Sequence, residues 1–319
     1  MRAFVTGISG FVGGHLVEHL AGQGDQVAGI SASGRWPEGL GRLADLARIE
    51  ACDLAGTDVP ALAGRIGRCA PEVVYHLAAQ ANPQASVADP RGTWTLNVLG
   101  TLTLLEAIRA SGLSPRVVLV GTGICYGNPP PGQNPVREDC PLRPNNPYAA
   151  SKAAADLLGI QHVLSHRADV VIARPFNHAG PRQSDTYVLS SFARQVAEIE
   201  RGGRSRIDVG NLAVERDYTD VRDIVRAYRL LATHGRAGEI YNVGSGVGTG
   251  LSAALDFLRG LAAVPVEVRV DPARHRPVDL PRLVADPSKL RAAAGWTPEI
   301  PIEQTLEDML KYWREHLDS

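Results

Sequence analysis

Short runs that are apolar at nearly every position recur through the first half of the chain. They are MRAFVTG at 1–7, QVAGIS at 26–31, LARIEAC at 46–52, EVVYHLAA at 72–79, RVVLVGT at 116–122 and DVVIARPF at 169–176. Runs of this length without polar alternation predict strands buried on both faces, as a parallel sheet covered by helices requires. Between them the apolar positions adopt a helical period, over the longest stretches at roughly 90–111 and 146–166. The alternation predicts an α/β chain with a doubly wound parallel sheet, its ligands lying beyond the carboxyl ends of the strands. Past Pro181 the pattern turns to shorter, mixed elements separated by Gly, Pro and Arg. We expect there a smaller mixed α/β C-terminal portion that binds substrate, with a helix at 220–234 and a strand in EIYNVG threaded back to the main sheet. The expected division is residues 1–176, joined by about 212–243, for one part and mainly 177–319 for the other.

The first strand runs into Gly7-x-x-Gly10-x-x-Gly13 and then into FVGGHLVEHLAGQG, a helical pattern closed by Gly22 and Gly24. Strand, glycine turn and helix leave a helix N-terminus that a pyrophosphate can approach, bound by backbone N–H groups and the helix dipole. This makes the sheet a Rossmann-type, dinucleotide-binding one. Cofactor choice is written at the end of the second strand, where an acidic residue would accept the ribose hydroxyls of NAD. The chain offers Ser31, Ser33 and Arg35, with no carboxylate between Val27 and Pro37. NADP(H) is favoured and NAD(H) stays open. Asp53, just after the third strand, is in place to accept from the adenine amino group, although an Asp in a loop also serves as a turn residue.

Tyr148 and Lys152 stand four residues apart in NNPYAASKAAADLL. That spacing puts both on one face of a helix. A free tyrosine, with a pKa of about 10, becomes a useful proton donor or acceptor near neutrality when a nearby cation stabilises its anion. Lys152 supplies that cation. Thr122, at the end of the fifth strand, can bond the same substrate oxygen. The three residues describe a ketone or alcohol redox site in which Tyr148 moves the proton and Thr122 polarises the carbonyl.

Composition narrows the setting. Among 319 residues, 33 basic and 34 acidic side chains give a net charge of −1, which lends no support to a nucleic-acid or membrane-surface role. Cys52, Cys69, Cys125 and Cys140 have neither CxxC spacing nor an accompanying histidine pattern, so no metal site or disulfide framework is expected. No signal-peptide layout precedes the first strand, and no uncharged apolar run approaches the roughly 20 residues of a membrane span. The expectation is a soluble, cytoplasmic protein. PPPGQNP at 129–135 reads as a proline-rich loop.

GISGFVGGHL, HLAAQ, NVLGT, Tyr148-x-x-x-Lys152 and RPFN together resemble the extended short-chain dehydrogenase/reductase family, which acts largely on nucleotide sugars. The resemblance covers essentially the whole chain. ARPFNHAGPRQS, VGNLAVERDYTDVRDIV and HRPVDLP resemble, more narrowly, the branch that holds GDP-mannose 4,6-dehydratase and GDP-4-keto-6-deoxymannose reductase. The resemblance implies cofactor contacts from Gly7, Gly10, Phe11, Val12 and Gly13, from Ser31, Ser33 and Arg35, and from Asp53 and Leu54. It extends them to Leu77, Ala78, Ala79, Asn97, Tyr148, Lys152, Arg174 and Pro175. For a nucleotide-diphosphate sugar, GDP-linked by preference, it implies Gln80, Ser86, Asn177, Arg182, Val188, Arg216, Arg276 and Asp279. Guanidinium groups suit phosphate bidentately. Arg182 stands where the related string GPGQ has glycine, and either adds a phosphate contact or faces solvent.

The dehydratases carry a glutamate two residues after the catalytic threonine, and here that position is Ile124. An alkyl group does no acid–base chemistry, so ketoreduction or 4-epimerisation is favoured over 4,6-dehydration. A non-catalytic NADP-binding sensor or scaffold is the reading from another class. It would be expected to lose Thr122, Tyr148 or Lys152. Family members pair through two helices per subunit, so a homodimer is implied through segments near 90–111 and 146–166.

Overall fold

The computed structural model describes residues 1–271, 273 and 280–317. Seven strands form the main sheet among these residues: β1 (Arg2–Thr6), β2 (Gln26–Ser31), β3 (Ala47–Ala51), β4 (Val73–His76), β5 (Arg116–Val120), β6 (Val170–Pro175) and, returning late from the chain, Ile240–Val243. Every pairing within it is parallel. The spatial order is Ile240–Val243, β6, β5, β4, β1, β2, β3. The order reverses beside β1, and this switch point opens the crevice above its carboxyl end. The strands stop short of the apolar runs that encode them. Leu77 to Gln80 and Gly121–Thr122 leave the sheet, which frees their backbone for the site.

The covering helices begin where the sequence supplies caps. Asp58 accepts from Ala61 N at 2.7 Å before α2 (Val59–Cys69), which follows α1 (Phe11–Gly22). The expected helix over 90–111 is instead broken. After α3 (Pro83–Ala88), which precedes it, its parts are α4 (Pro90–Trp94), a π-turn over Thr95–Leu99 and α5 (Gly100–Ala110). Asn97 lies inside the wide turn, and such turns gather at functional positions because they re-aim a side chain. Asn146 caps α6 (Pro147–His166) by accepting from Ala149 N at 2.9 Å, with Pro147 pre-set for the first turn.

Beyond β6 come β7 (Asn177–Ala179), α7 (Val188–Glu200), β8 (Arg206–Val209), β9 (Glu215–Asp220) and α8 (Val221–His234). Then follow β10 (Ile240–Val243, the late strand of the main sheet), β11 (Gly248–Gly250), α9 (Leu251–Gly260), β12 (Glu267–Val270), β13 (Arg282–Leu283), α10 (Ser288–Ala294) and α11 (Ile302–His316). Ile224, Tyr228 and Leu231 of α8 share a core with Val5, Leu16 and Val118 on one face of the main sheet. A separate core joins α7, α9 and α11 through Phe192, Val196, Leu255, Leu258, Leu306 and Met309.

Candidate active site

The glycine turn is built for close approach. Gly7 has φ +72°, and a Cβ there would lie 2.8 Å from Ala78 N. A Cβ on Gly13 would lie 2.4 Å from Ile8 O, so both positions exclude any side chain. Gly10 is the N-cap of α1 and supplies no side-chain acceptor. The first-turn N–H groups of Phe11, Val12 and Gly13 are left for an anion.

At the end of β2, Ser31 Oγ accepts from Gly34 N at 3.1 Å, and Ser33 Oγ accepts from Arg35 N at 3.3 Å. The three expected residues therefore share one tight turn with Arg35 exposed on it. Asp53 Oδ1 accepts from Ala55 N at 3.0 Å and so also serves its own turn, while Leu54 is buried in the core. Leu77, Ala78 and Ala79 continue half-buried past β4, and Ala78 N donates to Thr6 Oγ1 at 3.2 Å.

Thr122 caps the short turn Gly123–Tyr126, its Oγ1 accepting from Ile124 N at 3.3 Å. Its hydroxyl also acts on the Tyr148 side chain, so these two expected catalytic groups lie near one another. Burial pushes the Tyr148 hydroxyl up to about 12, with the Thr122 hydroxyl pulling against it. Burial pulls the Lys152 ammonium down to about 8, with the Asp156 carboxylate opposing. In this ligand-free arrangement Tyr148 holds its proton and Lys152 is charged at neutral pH, the state needed to deliver a proton to a carbonyl oxygen.

Several side chains expected at ligands turn out to hold the helix that carries this pair. Ser86 is fully buried. Its Oγ donates to Pro83 O at 2.6 Å and accepts from Tyr148 N at 3.1 Å, which fixes the start of α6. Asn97 Oδ1 accepts from Gln80 N at 2.8 Å, and its Nδ2 donates to Ser151 Oγ at 2.9 Å. Ser151 Oγ in turn donates to Tyr148 O at 2.9 Å. Asn97 thus ties the chain after β4 to α6 beside Lys152, with its amide spent on protein partners. The Gln80 side chain bonds the backbone of Asn82. Arg174, expected at the cofactor, is buried, donating through Nε to Asp156 Oδ2 at 2.8 Å and through Nη1 to Tyr126 Oη at 2.9 Å. Pro175 is buried beside it at the end of β6.

A cavity of about 570 Å³ opens next to Ile124 and is also lined by Asn177, His178, Val188 and Arg216. Asn177 and His178 come from β7, which pairs with β9 and so places Asn177 beside Tyr218. Tyr187, Phe192, Gln195, Asn211 and Leu212 line the same cavity and were not singled out by the sequence. The string GNLAVERDYT contained a usable signal for two of them. Arg182 turns the other way. With φ +75°, it sends Nη2 to Glu18 Oε2 at 2.6 Å and to His15 Nδ1 at 2.7 Å. It is neither a wall of this cavity nor a solvent-facing charge, because the acid on α1 captures it. Arg276 and Asp279 lie outside the described residues. Among the described residues no group of acidic, histidine or cysteine side chains could hold a metal ion, and no helix is long and apolar enough to cross a membrane.

The family model for GDP-mannose 4,6 dehydratase matches residues 4–309. The chain is 37% identical to a GDP-6-deoxy-D-mannose reductase of Pseudomonas aeruginosa over 99% of its own length and 98% of the relative's. Two solved structures are also similar. One is RMD from Pseudomonas aeruginosa complexed with NADPH, with a TM-score of 0.84, 33% identity and 99% of each chain covered. The other is the Thermus thermophilus UDP-glucose 4-epimerase complex with NAD, with a TM-score of 0.88, 32% identity and 99% and 100% of the two chains covered.

Proposed function

The chain belongs to the GDP-mannose 4,6 dehydratase family of extended short-chain dehydrogenase/reductases, and on that basis we propose that it reduces GDP-4-keto-6-deoxy-D-mannose to GDP-D-rhamnose with NADPH. The observation that carries this reading is Ile124, an alkyl wall of the cavity beside Thr122, where elimination of a hydroxyl would call for an acid or base. A ketone needs none beyond Tyr148.

The glycine cradle that a Cβ would fill at Gly7 and Gly13 fits a dinucleotide pyrophosphate, held by the N–H groups of Phe11, Val12 and Gly13. Ser31, Ser33 and Arg35 suit the additional phosphate of NADP, with no carboxylate in that turn to repel it. When bound, the nicotinamide supplies the hydride. Thr122 and Tyr148 bond the ketone oxygen, and Tyr148 gives its proton to the oxygen as the carbonyl becomes an alcohol. Lys152 offsets the charge left on the phenolate. Asn177 and Arg216 face the cavity and suit the diphosphate.

A 4-epimerase would use the same three residues, and the likeness to an epimerase structure supports keeping that second reading. The deciding assay is NADPH absorbance with GDP-4-keto-6-deoxymannose, run beside GDP-mannose plus NADP. Stoichiometric NADPH oxidation with the keto-sugar and silence with GDP-mannose is expected. A 4-keto product from GDP-mannose overturns the reading.

The working unit we propose is a homodimer. Trp94 and Leu99 are exposed near α4, and Leu157 and Leu164, two turns apart on α6, are 63% and 79% exposed. Apolar side chains grouped this way fit a second copy of the same helices. Four free cysteines suit a reducing, cytoplasmic setting.

A further inference from the structure

We infer that Asp217 is a positioning residue for Arg216, fixing from the opposite face of β9 the two strands between which that arginine enters the cavity. The inference rests on the reading of Arg216 as a ligand of the substrate diphosphate. Side chains alternate along a strand, and Val214, Arg216 and Tyr218 line the cavity whereas Glu215 and Asp217 do not. β9 lies between β11 and β13, with Arg216 paired to Thr249 on one side and to Leu283 on the other. Arg216 Nη1 donates back to Glu215 O at 2.9 Å, so the guanidinium is tied to the backbone of its own strand.

The flanking strands are short. β11 pairs with β9 through three residues and β13 through two, which leaves little ladder to fix either of them. Asp217 supplies the missing ties. It is fully buried and uses both carboxylate oxygens. Oδ1 accepts from Ser245 N at 2.8 Å and from Ser245 Oγ at 2.6 Å. Oδ2 accepts from Gly246 N at 2.9 Å and from Ala285 N at 3.1 Å. Ser245 and Gly246 lead into β11, and Ala285 follows β13, so one side chain binds both neighbours of Arg216 to β9.

The chain around this carboxylate is shaped to it. In NVGSGVG at 242–248, a Cβ on Gly244 would lie 2.7 Å from Asp217 Oδ2 and 2.6 Å from the Cβ of Ala285. Gly246 has φ +80°, the left-handed conformation that lets the chain turn about the carboxylate. Gly248 makes way for Glu215, whose Oε1 a Cβ there would overlap. That oxygen accepts from Arg282 Nε at 2.7 Å, a second tie from β9 to β13. Asparagine cannot take the place of Asp217, because it has one acceptor oxygen and its NH2 would face two of the four donors. What the four bonds hold is the pair of strands beside the arginine, so their loss should be felt in ligand affinity.

Calorimetry of GDP and of UDP binding to the whole protein tests this in the parent, Asp217→Asn, Arg216→Ala and the double variant, compared with the nucleotide that the parent binds. Asp217→Asn is expected to weaken binding at least about fivefold, but less than about twofold once Arg216 is alanine, since nothing is then left to position. Equal weakening in both backgrounds overturns the inference, because a general loss of structure acts with or without the guanidinium. In turnover the KM for the keto-sugar should rise while kcat stays within about twofold, whereas a partly unfolded sample loses kcat and keeps its KM. Should Asp217→Asn fail to fold, Ser245→Ala removes one of the four bonds and enters the same cycle, with a loss of about two- to threefold expected. No loss, or the same loss in both backgrounds, overturns the inference there too. A parent that binds neither nucleotide, or an Arg216→Ala that binds as tightly as the parent, rejects the diphosphate reading and takes the inference with it. Failure of the inference alone shows only in the cycle, so the two failures are told apart, and neither depends on the keto-sugar being reduced.

Discussion

Asn97 Nδ2 donates to Ser151 Oγ at 2.9 Å while its Oδ1 accepts from Gln80 N at 2.8 Å, joining the π-turn, the loop after β4 and α6 through one amide. Removing that amide strands a backbone N–H and loosens the hydroxyl that bonds Tyr148 O. Asn97→Ala is expected to cost about 1–3 kcal/mol in urea unfolding. The loss of kcat should exceed any change in KM, because the effect falls on the placement of Tyr148 and Lys152. Equal stability and equal kcat would contradict this account.

Tyr148→Phe removes the hydroxyl we propose as the proton donor and leaves the ring in place. Keto-sugar reduction is expected to fall by about two to four orders of magnitude. NADPH affinity, read by fluorescence titration, should stay within a few-fold, since the glycine cradle and α6 are untouched. Near-normal turnover would remove Tyr148 from the chemistry and revive the sensor reading.

The buried histidines make acid sensitivity predictable. His15 is lowered to about 4 by burial first and Arg182 second, and His76 to about 3 by burial with Lys152 adding to it. In the unfolded chain both return to about 6.5, so between that value and their folded values the unfolded state binds more protons. Stability should therefore be intact above pH 6.5 and fall as the pH drops toward 4. Urea midpoints at pH 7, 6 and 5 measure this slope. His76→Gln, which can bond Thr6 and Thr101 without titrating, should flatten it, and a slope identical to the parent protein's would refute the assignment.

Much of the framework was readable because buried strands and helix spacing are local properties. The strands of the main sheet follow from runs such as RVVLVGT and from the return of EIYNVG, and the Tyr148–Lys152 pairing follows from helical geometry. What stayed hidden depends on distant partners. A π-turn at Asn97 keeps the apolar period of a continuous helix, so nothing local announces the break. Nothing local announced the partner of Arg182, because Glu18, which it bonds, lies 164 residues away along the chain. Arg174 and Asp156 sit in otherwise apolar strings, and only the fold brings β6 against α6. Phe192 and Gln195 look like positions on an ordinary amphipathic helix, because an inward face and a ligand-facing face have the same period.

Ile124 offers the sharpest test of the division between reduction and dehydration. Ile124→Glu would put a carboxylate in the cavity beside Thr122, close to where the ketone oxygen gains negative charge during reduction. An ionised carboxylate there repels the developing alkoxide, whereas a neutral one does not. Reduction of the keto-sugar should fall at least about tenfold at pH 8, a loss of about 1.4 kcal/mol in transition-state stabilisation. The deficit should shrink as the pH is lowered through the introduced acid's pKa. Because the parent protein carries no such carboxylate at position 124, the ratio of variant to parent rates isolates the new group across the pH range. A ratio flat with pH would mean that the introduced side chain acts by bulk alone, and Ile124 would then cease to be the residue that separates the two reactions.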